Sequence, residues 1–146
     1  MDKLNMGLTE IEKEAITSSF ILINHQEQQF ATLFYDCLFD LAPLIKPMFK
    51  RDRKLIEEHF YMIFCAAVDN IHHLDTIRAT LLELGARHRN YGVKVSHFPI
   101  VKSALILAIQ HELKGQSNAS IENAWSNYYD VLAAIILEGM LADKIA

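Results

Sequence analysis

The stretch Leu84-Gly85-Ala86-Arg87-His88-Arg89-Asn90-Tyr91-Gly92-Val93 decides how the rest of the chain is read. Ile77, Leu81, Leu84 and His88 recur at intervals of four, three and four residues, which places them on one face of a helix. That helix is expected from about Leu74 to His88, with Gly92 breaking the chain after it. An imidazole at the end of an apolar helix face is available as a neutral metal ligand. Its other ring nitrogen can donate to a carbonyl one turn earlier, that of Leu84, which would fix the ring. On spacing alone, a lone histidine in an apolar stripe is more often a packed or boundary residue than a ligand, so the neighbouring segments have to decide.

Working outward, the chain reads as a series of helices. Upstream, Asp52 opens a long helix in which Ile56, Phe60, Ile63, Ala67 and Ile71 form one stripe, widened by Phe64 and Val68. Before it, a helix from about His25 to Ala42 carries Phe30, Phe34, Leu38 and Leu41, and Pro43 starts a short helical turn that Pro47 limits. The first helix begins at about Thr9, which with Glu12 has capping-box spacing, and ends near Ile23-Asn24. Downstream, Ser96 is placed as an N-cap with Pro99 in the first turn, and the fifth helix runs to Leu113 with Gly115 closing it. The last helix starts at about Asn118 and carries Ile121, Trp125, Tyr128, Leu132 and Ile135-Ile136. The expectation is an all-α chain of six main helices plus short turns, without coiled-coil heptads.

Composition agrees. The 146 residues suit one domain spanning 1–146, and 51% hydrophobic content supports a packed core. With Gly at 5 and Pro at 3, turns are few and elements long. A formal charge of -4 with no basic stripe gives nucleic-acid binding no electrostatic support. The apolar run Val131 to Leu137 is stopped by Glu138 and is too short to span a membrane, so a cytoplasmic protein is expected. Cys37 and Cys65 read as ordinary buried thiols, and His72-His73 as a solvated pair whose side chains diverge. No His, Cys or carboxylate spacing marks a zinc site. Tyr35, between Phe34 and Asp36, is either a boundary residue with its hydroxyl in water or a buried phenol in need of a partner.

Several segments together resemble a known family. The Leu84–Val93 stretch is followed by Ser96-His97-Phe98-Pro99-Ile100-Val101, Ala124-Trp125 and Tyr128-Tyr129; it is preceded by Leu33-Phe34-Tyr35-Asp36-Cys37-Leu38-Phe39 and Pro43-Leu44-Ile45-Lys46-Pro47-Met48-Phe49. Their order and spacing, from about Leu8 to Gly139, resemble globins: single-domain bacterial globins, the haem domain of flavohaemoglobins and, more distantly, neuroglobin. The resemblance implies a globin fold around a haem pocket with haem b as cofactor. It implies that His88 is the proximal iron ligand, Phe49 packs on the haem, Tyr35 is the distal tyrosine, and Val93 and Phe98 wall the proximal side, with Leu84 beside them.

Two departures bear on function. Counting back from His88 without a gap puts Ile56 where the family usually has a distal His or Gln, and Phe60 one turn later. A slipped register would instead bring His59 to the pocket, as a sixth iron ligand or against a haem propionate. Flavohaemoglobins pair a tyrosine with a glutamate beside the proximal His; here those positions fall at Phe98 and near Ala142. The resemblance therefore implies reversible binding of a diatomic gas, oxygen first, with nitric oxide and carbon monoxide as further ligands, for oxygen transport or storage. Nitric-oxide dioxygenation with a separate reductase, gas sensing through a partner, and a haem-free helical module are the alternatives, because one scaffold serves them all.

Overall fold

The computed structural model describes residues 8–23 and 29–142. Among them lie six α-helices: α1 (Glu10–Ile23), α2 (Gln29–Leu41), α3 (Arg53–Asp69), α4 (Arg78–Asn90), α5 (Phe98–Leu113) and α6 (Ala119–Leu141). Short 3-10 turns at Pro43–Met48, Leu74–Ile77 and Val95–His97 link them, and the described residues contain no strand. The expected start of the second helix at His25 falls outside the described residues. None of the six helices is alone long and apolar enough to cross a membrane.

The caps follow local chemistry. Thr9 and Glu12 form the reciprocal box: the Thr9 N–H donates to Glu12 Oε1 at 2.9 Å and the Glu12 N–H to Thr9 Oγ1 at 3.0 Å. Asn118 caps α6 by accepting from the Ile121 N–H at 2.9 Å. Two expectations need correction. The Leu74 segment enters as a 3-10 turn, and the α-helix begins only at Arg78. The fifth helix is not capped by Ser96; Lys94 leads a 3-10 turn, and its N–H donates to His97 Nδ1 at 3.0 Å. The ring nitrogen meets the Lys94 N–H as the third-residue side chain does in a capping box.

Burial of aromatic stripes from α2, α3 and α6 forms the core. Phe64 stacks on Phe30 at 4.8 Å and on Trp125 at 5.4 Å between ring centroids. The buried polar atoms there are matched: Trp125 Nε1 donates to Ser19 Oγ at 2.9 Å, and the Tyr128 hydroxyl to the Ala67 carbonyl at 2.6 Å. These bonds tie α6 to α1 and to α3.

The most extensive helix contact is α4 on α6. A methyl group at Gly85 would overlap the Ile136 carbonyl oxygen, and one at Gly139 would overlap the carbonyl of Leu82. The two backbones thus touch where each helix has no side chain. Arg78 reaches Glu138 at 2.6 Å, and Arg89 donates to the carbonyls of Met140 and Ala142 at 3.2 and 3.1 Å, satisfying open acceptors at the α6 C-terminus.

The sign of a glycine substitution tests this crossing. Helix propensity alone favours Ala over Gly by about 1 kcal/mol. Overpacking two backbones instead predicts that Gly85→Ala or Gly139→Ala destabilises by about 1–3 kcal/mol or more. Gly92 has φ +84° and open space around it, so Gly92→Ala carries only the left-handed backbone cost of about 1–2 kcal/mol. Urea unfolding of the three variants beside wild type measures the difference; a stabilised Gly85→Ala would contradict the close crossing.

Candidate functional site

Tyr35 lies on α2 and is only 8% exposed. Its ring meets Phe49 edge-on at 5.7 Å, Phe60 edge-on at 5.8 Å and Phe34 at 4.8 Å. Phe60 lies flat on Phe34 at 4.3 Å with an interplanar angle of 1°. Ile56 is half-buried against the hydrophobic core. The structure thus brings Tyr35, Phe49 and Phe60 together. His59 is exposed and outside this group. Phe49 is delivered by the Pro43–Met48 turn, where its N–H bonds to the Lys46 carbonyl at 3.0 Å.

His88, half-buried near the end of α4, has its Nδ1 2.9 Å from the Leu84 carbonyl. A carbonyl only accepts, so Nδ1 carries the proton and Nε2 presents a lone pair. Burial, first, and the neighbouring Arg87 push the imidazole below its ordinary 6.5, against the Leu84 bond, which favours the neutral ring. Val93 follows at once, its N–H bonded to the His88 carbonyl at 3.1 Å. Phe98 opens α5 half-buried, its carbonyl accepting from the Tyr129 hydroxyl at 2.9 Å. It also borders an open groove of about 470 Å³ between α5 and α6, with Val95, Tyr129 and Leu137.

The two groups stand on different supports. Tyr35, Ile56 and Phe60 belong to α2 and α3, which pack on each other, whereas α4 takes its packing from α6. Neither the Tyr35 hydroxyl nor His88 Nε2 takes part in a hydrogen bond within the described residues. One is a neutral phenol donor, the other a neutral nitrogen acceptor held in one tautomer. A haem would need a neutral imidazole nitrogen to hold its iron, and His88 fits that need; Tyr35 would offer a polar donor to a bound ligand. No three His, Cys, Asp or Glu side chains gather among the described residues. Cys37 and Cys65 are half-buried free thiols, and burial pushes both above their usual range.

One feature near Tyr35 escaped the periodicity. Glu57, next to Ile56 in the apolar stripe, is only 8% exposed and is bound to Arg53 and Thr32. The spacing of Arg53 and Glu57, four apart on a helix, is the one sequence signal that pointed to this pair.

Comparison with known proteins agrees with the fold and places the chain. The globin family model matches residues 32–136. An anaerobic nitrite reductase of Oryza sativa subsp. indica is 30% identical over 143 residues, covering 92% of this chain and 97% of that protein. A flavohemoprotein of Bacillus anthracis is 29% identical over 133 residues; the match covers 86% of this chain but 32% of the flavohemoprotein. Among solved structures, a bacterial globin from Campylobacter jejuni superposes with a TM-score of 0.76 at 24% identity, covering 90% of this chain and 96% of that one. The chain belongs to the globin family, and membership implies a haem cofactor.

Burial raises the Tyr35 phenol well above its ordinary 10.0, and Glu57 adds to the rise while Arg53 opposes it. The phenol therefore stays a neutral donor, and the stability this confers is held below pH 10.0 and lost as alkaline pH ionises it. Spectrophotometric titration of the haem-free protein through pH 10.0 is expected to show the same phenolate absorbance change in wild type and in Tyr35→Phe while both remain folded. A change smaller by one tyrosine in the variant would show that the phenol ionises normally.

Proposed function

We propose that this globin reversibly binds a diatomic gas, oxygen foremost, at a b-type haem held by His88. The observation that carries the reading is the pair of polar atoms outside any hydrogen bond within the described residues, the Tyr35 hydroxyl and His88 Nε2, each fixed by its own packing. A bound haem would supply the iron at which the gas binds. His88 offers Nε2 as the single protein ligand, and the bond from Nδ1 to the Leu84 carbonyl holds the ring's tautomer and angle. Leu84, Val93 and Phe98 wall the His88 side, while Phe49, Ile56 and Phe60 keep water from the other.

Tyr35 is the gas-side donor. Ile56 has no polar atom, and exposed His59 is not required as a sixth ligand. A gas that gains partial negative charge on binding would accept a hydrogen bond from the phenol, slowing its dissociation; a gas that stays neutral would gain little. The partner of His88 Nδ1 is a neutral carbonyl and not a carboxylate, so the imidazole is not driven toward imidazolate. That favours reversible binding over oxidative chemistry. Turnover as a nitric-oxide dioxygenase would require electrons from a separate reductase.

Stopped-flow ligand replacement tests the reading. Tyr35→Phe is expected to speed oxygen dissociation about tenfold, the equivalent of one hydrogen bond worth about 1.4 kcal/mol, and carbon monoxide dissociation much less. Equal acceleration of both gases would remove Tyr35 from its role. His59→Ala is expected to leave the absorption spectrum of the unliganded ferrous protein unchanged; a change would restore His59 as an iron ligand.

A further inference from the structure

Glu57 is a buried carboxylate between α2 and α3, and both of its partners are tied to the stretch of α2 that carries Tyr35. Its Oε1 accepts from Thr32 Oγ1 at 2.7 Å and its Oε2 from Arg53 Nε at 2.7 Å. The Arg53 guanidinium also donates through Nη2 to the Thr32 carbonyl at 3.0 Å and to Asp36 Oδ1 at 2.8 Å, and lies 5.6 Å from the Phe39 ring centroid. Thr32 precedes Tyr35 by one helical turn, and Asp36 follows it directly. Phe39 in turn packs on Tyr35 at 5.8 Å and on Phe49 at 5.3 Å. Arg53 and Glu57 belong to α3; the groups they grip belong to α2.

Apolar packing alone does not fix the sliding of one helix along another, because it is not directional. A guanidinium shared between two carboxylates and a carbonyl is directional and tolerates little displacement. Burying a carboxylate at this crossing gains little stability over an apolar side chain of the same size. The arrangement is better suited to specifying geometry. We propose that Arg53, with Glu57 and Asp36, is a clamp that fixes the α2–α3 register and thereby aims the Tyr35 hydroxyl toward the bound gas. Arg53 is a positioning residue, acting through Tyr35 and not on the gas. The clamp also leaves one net negative charge beside the phenol, which disfavours phenolate and keeps the donor protonated. The role in gas binding rests on the function proposed above; the positioning of Tyr35 does not.

Four variants separate the two. Arg53→Met removes the fork, Arg53→Lys keeps the charge without it, Glu57→Gln keeps the shape without the charge, and Tyr35→Phe removes the donor. The carbonyl stretching band of the carbon monoxide complex reports the polarity felt by the gas. The Tyr35 ring-proton NMR shifts of the haem-free protein report where the ring sits between Phe49 and Phe60. The clamp predicts that Arg53→Met moves the band toward its Tyr35→Phe position, displaces the Tyr35 shifts and speeds oxygen dissociation several-fold. Arg53→Lys and Glu57→Gln are expected between wild type and Arg53→Met, and Arg53→Met is expected to add no further band shift on the Tyr35→Phe background. Unmoved Tyr35 shifts in folded Arg53→Met and Glu57→Gln would overturn the clamp. Displaced shifts with a band indifferent to Tyr35→Phe would uphold the positioning and overturn the gas-binding role of Tyr35.

Discussion

The contact on which the rest of the structure depends is the crossing of α4 and α6 at Gly85 and Gly139. Neither position has room for a side chain, because each faces a backbone carbonyl of the other helix. Closeness of this kind fixes both the distance and the rotation of α4. His88 lies about 60° around the helix from Gly85, so the face that meets α6 and the face that presents the imidazole are set together. Arg89, on the crossing side, then anchors the end of α4 to the α6 carbonyls. The His88 imidazole is thus positioned by the packing of α4 on α6.

The opposite wall is fixed by a different kind of force. The aromatic set Phe34, Tyr35, Phe49 and Phe60 is dense and apolar, but its orientation comes from charges, through the Arg53–Glu57–Asp36 cluster. The protein therefore holds a neutral acceptor by a backbone contact and a neutral donor by an ionic one. Burial keeps both uncharged near neutral pH, one by lowering the basicity of an imidazole and the other by suppressing a phenolate. Neutral groups suit a ligand that is itself uncharged in solution.

Much of this was legible in the sequence. The Thr9–Glu12 box, the Asn118 cap, the aromatic stripe of α3 and the Leu84 carbonyl beneath His88 all follow from local spacing, and all are found. What local spacing missed depends on partners far along the chain. Gly85 and Gly139 sit inside helices, where glycine is unfavourable; that was a signal of close approach, although not of which helices approach. Glu57 carried no signal in the apolar periodicity; it is buried with Thr32 on α2 and Arg53 on its own helix meeting its two oxygens. The Lys94–His97 cap was missed because the fifth helix is entered through a 3-10 turn whose leading N–H is met by a histidine ring. Spacing left the register of α3 open between Ile56 and His59; in the structure Phe60 stacks on Phe34 and His59 lies at the surface.

The central claim is that His88 ligates a haem iron in this globin. Absorption spectra of the purified protein, as isolated, reduced with dithionite and then exposed to carbon monoxide, test it directly beside a His88→Ala variant. The account predicts a haem spectrum that shifts on carbon monoxide in the wild type and is lost or altered in the variant. Failure of the wild type to take up haem even on reconstitution, or a variant with an unchanged spectrum, would contradict it.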